Sequence, residues 1–195
     1  EDVVLRAVRS ELVAGQGSGV VAQGGATAQI RSALIEDALN GVFATLGSTS
    51  RVSDAVIRNL RASEYTTGLS VRGPTTLTAE RVRVEDIAGR GLGAFDGATL
   101  AFRDGVVRRV HRPSAGMSGY CAEASGATAQ VTGSVLEDCE VVGAYATGAQ
   151  ATLTLADSVV RQALPPDTVR HGVQTQSQAR LTVRASRIEG PFTVG

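Results

Sequence analysis

The strongest constraint on what this chain can fold into is a glycine that returns on a schedule. Gly19, Gly41, Gly68, Gly91, Gly119, Gly143 and Gly172 each open a similar phrase: GVVA, GVFA, GLSV, GLGA, GYCA, GAYA and GVQT. The intervals are 22, 27, 23, 28, 24 and 29 residues, so short and long units alternate. A recurrence in the twenties is the mark of a solenoid, in which each unit buries its apolar face only against its neighbours.

Registering the units on their last apolar phrase gives three columns. One reads Ile35, Ile57, Val84, Val107, Leu136, Val160, Ile188; a second reads Ile30, Val52, Ala79, Phe102, Val131, Leu155, Val183; a third reads Val20, Val42, Leu69, Leu92, Tyr120, Ala144, Val173. Inward positions alternate with polar ones at the period of two that a strand imposes. Corners such as GGA, GST, GPT and GAT supply the glycine that a sharp bend needs. The pattern predicts one all-β domain over 1–195: a parallel β-helix of about seven turns, three short strands per turn. Composition agrees. Hydrophobic residues make up 43% of the 195, but aromatics only 4%, with no Trp, which suits thin turns with a narrow interior.

The column after the first apolar one reads Arg6, Glu36, Arg58, Glu85, Arg108, Glu137, Arg161, Glu189. Its sign alternates throughout, so stacking in register sets every Arg between two Glu. Exposed pairs contribute only ~0.2–1 kcal/mol each; the larger effect is on register, because a slip of one turn opposes like charges. The true repeat is therefore a two-turn unit of about fifty residues. A further outward column, Thr27, Thr49, Thr76, Thr99, Thr128, Thr152, ends on Arg180. Its outward neighbour, Gln29, Arg51, Thr78, Ala101, Gln130, Thr154, Thr182, is irregular and in places charged, unlike the flat paired Thr columns of an ice-binding face.

The phrase G-[VLYA]-x-[AVT]…G-A-T…[SD]-x-[VIL]-[VIL]-[ER] resembles the right-handed parallel β-helix superfamily, the pectin-lyase-like fold, over essentially the whole chain. The resemblance implies right-handedness and a secreted or cell-surface protein. It also brings in polysaccharide lyases and polygalacturonase-like hydrolases alongside non-catalytic surface proteins. The enzymes' signatures are clustered acids, a Gly-His-Gly and an Arg-Ile-Lys. This chain has no Asp-Asp pair, no such Gly-His-Gly and no Lys. Read from the glycine schedule, the outward positions of the first strand are Val21, Phe43, Ser70, Gly93, Cys121, Tyr145 and Gln174, without a carboxylate. Glycoside hydrolysis by the usual route needs two carboxyls.

The 19 basic residues, all Arg, balance 19 acids, which argues against nucleic acid or an anionic membrane as a bulk electrostatic partner. No apolar run reaches membrane-spanning length. No Cys/His spacing suits a metal and no cofactor is expected. Cys121 and Cys139 fall within one turn, and the sequence leaves open whether they pair. The chain starts without Met in mid-turn and ends on Gly195, which suggests a piece of a longer solenoid or end-to-end pairing with another copy.

Long turns differ from short ones by about five extra residues, over 59–67, 109–118 and 162–171, with a fourth excursion near 7–18. Loops on a rigid scaffold are where binding concentrates. They carry the candidate ligand-binding residues Tyr65, His111, Arg112, Asp167, Arg170 and His171. These residue types suit an anion or uronate; solvated surface on tolerated insertions is the plainer reading. The function expected is a non-catalytic structural, adhesive or carbohydrate-facing segment that meets a polysaccharide or another surface protein. The alternative is a lyase or hydrolase acting on acidic polysaccharide.

Overall fold

A computed structural model of the chain describes residues 2–6, 17–60, 66–113, 118–162 and 171–192. They form a right-handed parallel β-solenoid with twenty-two strands and, among the described residues, no helix. A strand at Asp2–Arg6 precedes seven rungs of three strands each, the first rung being Ser18–Ala22, Thr27–Arg31 and Leu34–Glu36. Strands that open the rungs stack into a first, seven-stranded sheet. Middle strands, with Asp2–Arg6, form a second sheet of eight, and closing strands a third of seven. Every strand pairs in parallel with its equivalent one rung away.

The expected inward columns are observed in the second and third sheets. Ile35, Ile57, Val84, Val107, Leu136 and Val160 are at most 1% exposed, and Ile30, Phe102, Val131 and Leu155 are fully buried. Burying one such side chain contributes roughly 1.5–3 kcal/mol. In the seventh rung the inward Val183 and Ile188 are exposed, while Phe192 packs against the core.

The rung-opening glycine is held by sterics. A Cβ on Gly91 would stand 2.3 Å from Cγ1 of Val107 and 2.7 Å from the carbonyl oxygen of Cys121. The corner glycine has another reason: Gly97 has φ 83°, with nothing near its missing side chain.

Rung five departs from the expected register. Arg90 pairs with Tyr120 and Leu92 with Ala122, so Cys121, not Gly119, occupies the glycine position. Ala122 replaces Tyr120 in the inward column, Tyr120 points outward, and Glu123 replaces Cys121 at the outward position beside Gly93. Cys121 bonds to Cys139 across the interior, with a Cα–Cα distance of 5.5 Å, joining the first sheet to the third within one rung. Leu136 is the residue of that rung aligned with Val107. Leucine has no methyl on Cβ, which leaves room for the cysteine that Ile or Val would deny.

The charge ladder is in register from Glu36 through Arg58, Glu85, Arg108, Glu137 and Arg161 to Glu189. Each Arg leans toward the Glu one rung earlier: Arg58 to Glu36 at 2.9 Å, Arg108 to Glu85 at 2.6 Å, Arg161 to Glu137 at 3.0 Å. Arg6 is not part of it. It ends the strand Asp2–Arg6, which pairs with Thr27–Arg31 in the second sheet, where Arg6 aligns with Arg31. Its local phrase, VVLR, imitates the third-sheet strand, but the partner strand decides the sheet.

After the first five ladder residues the chain turns through a left-handed position at Asp37, Asn59, Asp86, Arg109 and Asp138, with φ between 53° and 58°. Among residues other than glycine, Asp and Asn are the ones that most readily adopt this region. Arg109 is the exception, and Asp86 holds it through two contacts of 2.7 Å.

Candidate functional site

The rungs present the outward faces of three sheets, and the first differs from the others. Its strands carry Phe43, Phe95, Tyr120 and Tyr145 outward, all half-buried. The second and third sheets carry no outward aromatic among their described strand residues. In rung four, Gly93 lets the ring of Phe95 fold flat along its own strand: a Cβ there would lie 2.6 Å from the ring. Two guanidinium groups flank that ring, with the Cζ of Arg72 at 5.7 Å and of Arg90 at 5.8 Å from its centroid. Asn40, Phe43, Thr67 and Ser70 complete a cavity of about 310 Å³ with Arg72, Arg90 and Phe95.

Each charged or amide group in this trough is held. Nε of Arg90 donates to Oε2 of Glu123 on the next strand. Arg72 pairs with Asp96 at 2.9 Å. The side-chain oxygen of Asn40 accepts from the backbone N–H of Thr67 at 3.1 Å. Burial pushes the Glu123 carboxyl above its ordinary range, with Arg90 opposing the shift. Beyond Glu123, the rings of Tyr120 and Tyr145 meet at 4.8 Å, and burial pushes the Tyr120 phenol upward. Tyr145 donates its hydroxyl hydrogen to Gln176 on the last rung.

The comparisons with known proteins follow the same architecture. The family model for the right-handed beta helix region matches residues 5–162. The chain belongs to the right-handed β-helix family. Comparison with curated proteins finds no match, and comparison with solved structures finds none.

On this β-helix the long connectors leave the same corner, between the third sheet and the first, after every second rung. The sequence candidates are dispersed. His111 closes a third-sheet strand and Arg112 follows it; both are exposed. Glu140 accepts the backbone N–H of Arg112 at 2.8 Å and lies 3.9 Å from Nδ1 of His111. His171 opens the seventh rung on the first sheet, aligned through Val142 with Tyr120 and Arg90. The structure thus sets His171 on the aromatic face and His111 on another sheet. Tyr65, Asp167 and Arg170 lie outside the described residues.

One error of register hides the trough from a reading of the sequence. The glycine schedule places Cys121 where Glu123 stands, and so conceals the carboxylate that fixes Arg90. The correct column, Phe43, Ser70, Gly93, Glu123, Tyr145, signals a built face. Chemically, the face offers stacking surfaces, fixed guanidinium donors and hydroxyls. Glu123 is the one carboxylate among the described outward strand residues of this sheet, and Arg90 occupies it.

Proposed function

We propose that the chain is a non-catalytic β-helical segment of a secreted or cell-surface protein, and that its first sheet is a saccharide-binding face. The observation that carries this reading is the trough in rungs two to four. There a half-buried aromatic ring framed by two arginines lines a cavity beside amide and hydroxyl groups. A pyranose ring offers an apolar face for the ring and hydroxyls for the fixed donors, and a concave apolar surface with a few placed polar groups is the usual form of a ligand site. The buried Cys121–Cys139 bond supports an oxidising destination.

The test is a glycan-array screen that includes neutral and acidic polysaccharides, with each hit assayed for new reducing or unsaturated ends. The expected result is binding without cleavage, weakened about tenfold or more by Phe95→Ala. Cleavage would favour the alternative, a polysaccharide lyase or hydrolase, for which Glu123 with its raised pKa is the first group to vary. Absence of binding would overturn the saccharide reading.

A further inference from the structure

The second sheet carries a different feature on its outward face. A cleft of about 550 Å³ spans rungs one to four where that sheet turns toward the third. Among the described residues it holds four arginines, Arg31, Arg51, Arg81 and Arg103, against two carboxylates, Asp54 and Glu80. Arg81 takes up both acids: it binds Asp54 at 2.7 Å and 3.0 Å, and it also contacts Glu80. The arginine holds the Asp54 carboxyl below its ordinary range. Arg31, Arg51 and Arg103 have no carboxylate within ion-pair distance among the described residues.

This surplus stands against the practice elsewhere in the chain, where each ladder arginine on the third sheet meets a glutamate within about 3 Å. It also stands against a net charge of zero for the whole protein. Local excess of one sign in a concavity concentrates counter-ions.

We propose that this cleft is a second, separate binding site for a glycan chain bearing oxyanion groups, sulfate or carboxylate. Arg31 and Arg103 share one outward column, separated by Ser53 and Glu80. Three strand steps set their Cα positions ~14 Å apart. Arg51 lies between them in the neighbouring column. That spread suits successive charged groups on a polymer rather than one small ion. Ser53 and Thr78 put hydroxyls between the cations, matched to sugar hydroxyls. The surface is the face of a fully paired sheet, so an acidic peptide finds no backbone edge to extend. Among the described residues no aromatic lines the cleft, so single-stranded nucleic acid finds no stacking platform there.

The experiment is titration calorimetry on the whole chain with size-matched oligosaccharides of heparin and of polygalacturonate, and with poly-glutamate as the peptide arm. The probes separate sulfate from carboxylate. Arg51→Gln with Arg103→Gln should weaken glycan binding ~100-fold, since removing one charge-assisted hydrogen bond is about a tenfold effect. Arg180→Gln, on the same sheet in the seventh rung, should change it less than twofold. Circular dichroism melts of the double variant verify that these exposed side chains leave the fold intact. The proposal is overturned if neither oligosaccharide binds, if the double variant binds like the parent, if Arg180→Gln weakens binding as much, or if poly-glutamate binds more tightly than both glycans.

Discussion

Replacing Gly91 by Ala tests the account of the rung-opening glycine most directly. The new methyl carbon would sit 2.3 Å from Cγ1 of Val107 and 2.7 Å from the carbonyl oxygen of Cys121. Carbon pairs settle at about 3.5–4.0 Å, so the first contact is too close by more than ~1 Å. Valine has little freedom to yield, because two carbons on Cβ confine χ1. The second obstacle is backbone, and yielding there means separating rungs four and five. Overpacking of this kind costs ~1–3 kcal/mol, which for a chain of this size lowers Tm by roughly 2–12 °C. Rung five supplies the compensating change, since its cysteine in the glycine position faces leucine rather than valine. Val107→Leu should therefore recover part of the loss in Gly91→Ala, with a favourable coupling of at least ~0.5 kcal/mol. Recovery is incomplete because the carbonyl contact persists. Urea and thermal denaturation of the parent, both single variants and the double variant measure all four corners of the cycle. A Gly91→Ala variant within ~0.5 kcal/mol of the parent, or a double variant no better than the sum of the singles, would refute the steric argument.

Removing the disulfide by Cys121→Ser with Cys139→Ser opens a loop of 18 residues and should cost ~3 kcal/mol by loop-closure entropy. Both sulfurs are buried, so dithiothreitol should reduce the parent slowly in buffer and rapidly in urea, read by alkylation and mass spectrometry. Glu123→Gln should alter the pH dependence of stability. Burial raises the Glu123 pKa above 4.5 in the folded chain, so the folded state binds this proton more tightly than the unfolded state. Its contribution is full below that value and is lost as pH rises through the folded pKa. Asp86 works in the opposite sense, because the hydrogen bond from Arg109 lowers its pKa below 3.8; its contribution is present above that value and lost on further acidification. The glutamine variant should therefore show a flatter fall in urea midpoint above pH 4.5, with the acid-side loss unchanged. A profile identical to the parent's would show that Glu123 is not desolvated.

The second and third sheets are legible in the sequence because their phrases are local and redundant. Thr opens six consecutive second-sheet strands from Thr27 to Thr152, and the sign of the residue after Ile35 and its equivalents never fails to alternate. Any one unit could be misread and its neighbours would correct it. The first sheet is less legible, because glycine marks it and glycine occurs for two reasons. Gly119 has φ 129° and belongs to the corner before the strand; Gly91 is required by close packing. Spacing does not tell them apart, so it sets rung five two residues out of register and leaves Glu123 and the trough around Arg90 unseen. Arg6 is misplaced because the short phrase VVLR fits either sheet and only its partner strand decides between them. The disulfide depends on how narrow the interior is, a property of the closed cross-section that no single phrase contains.

The alternating ladder gives the solenoid a parity. Deleting or duplicating a single rung would bring Arg against Arg or Glu against Glu at the junction, and would also move the long connectors out of phase along their corner. Deleting or duplicating two rungs leaves both sequences of features intact. Such a protein changes length at least cost in steps of about 9.6 Å, so relatives that differ by even numbers of rungs should outnumber those that differ by odd ones. An engineered change of reach along the axis must be made in the same pairs.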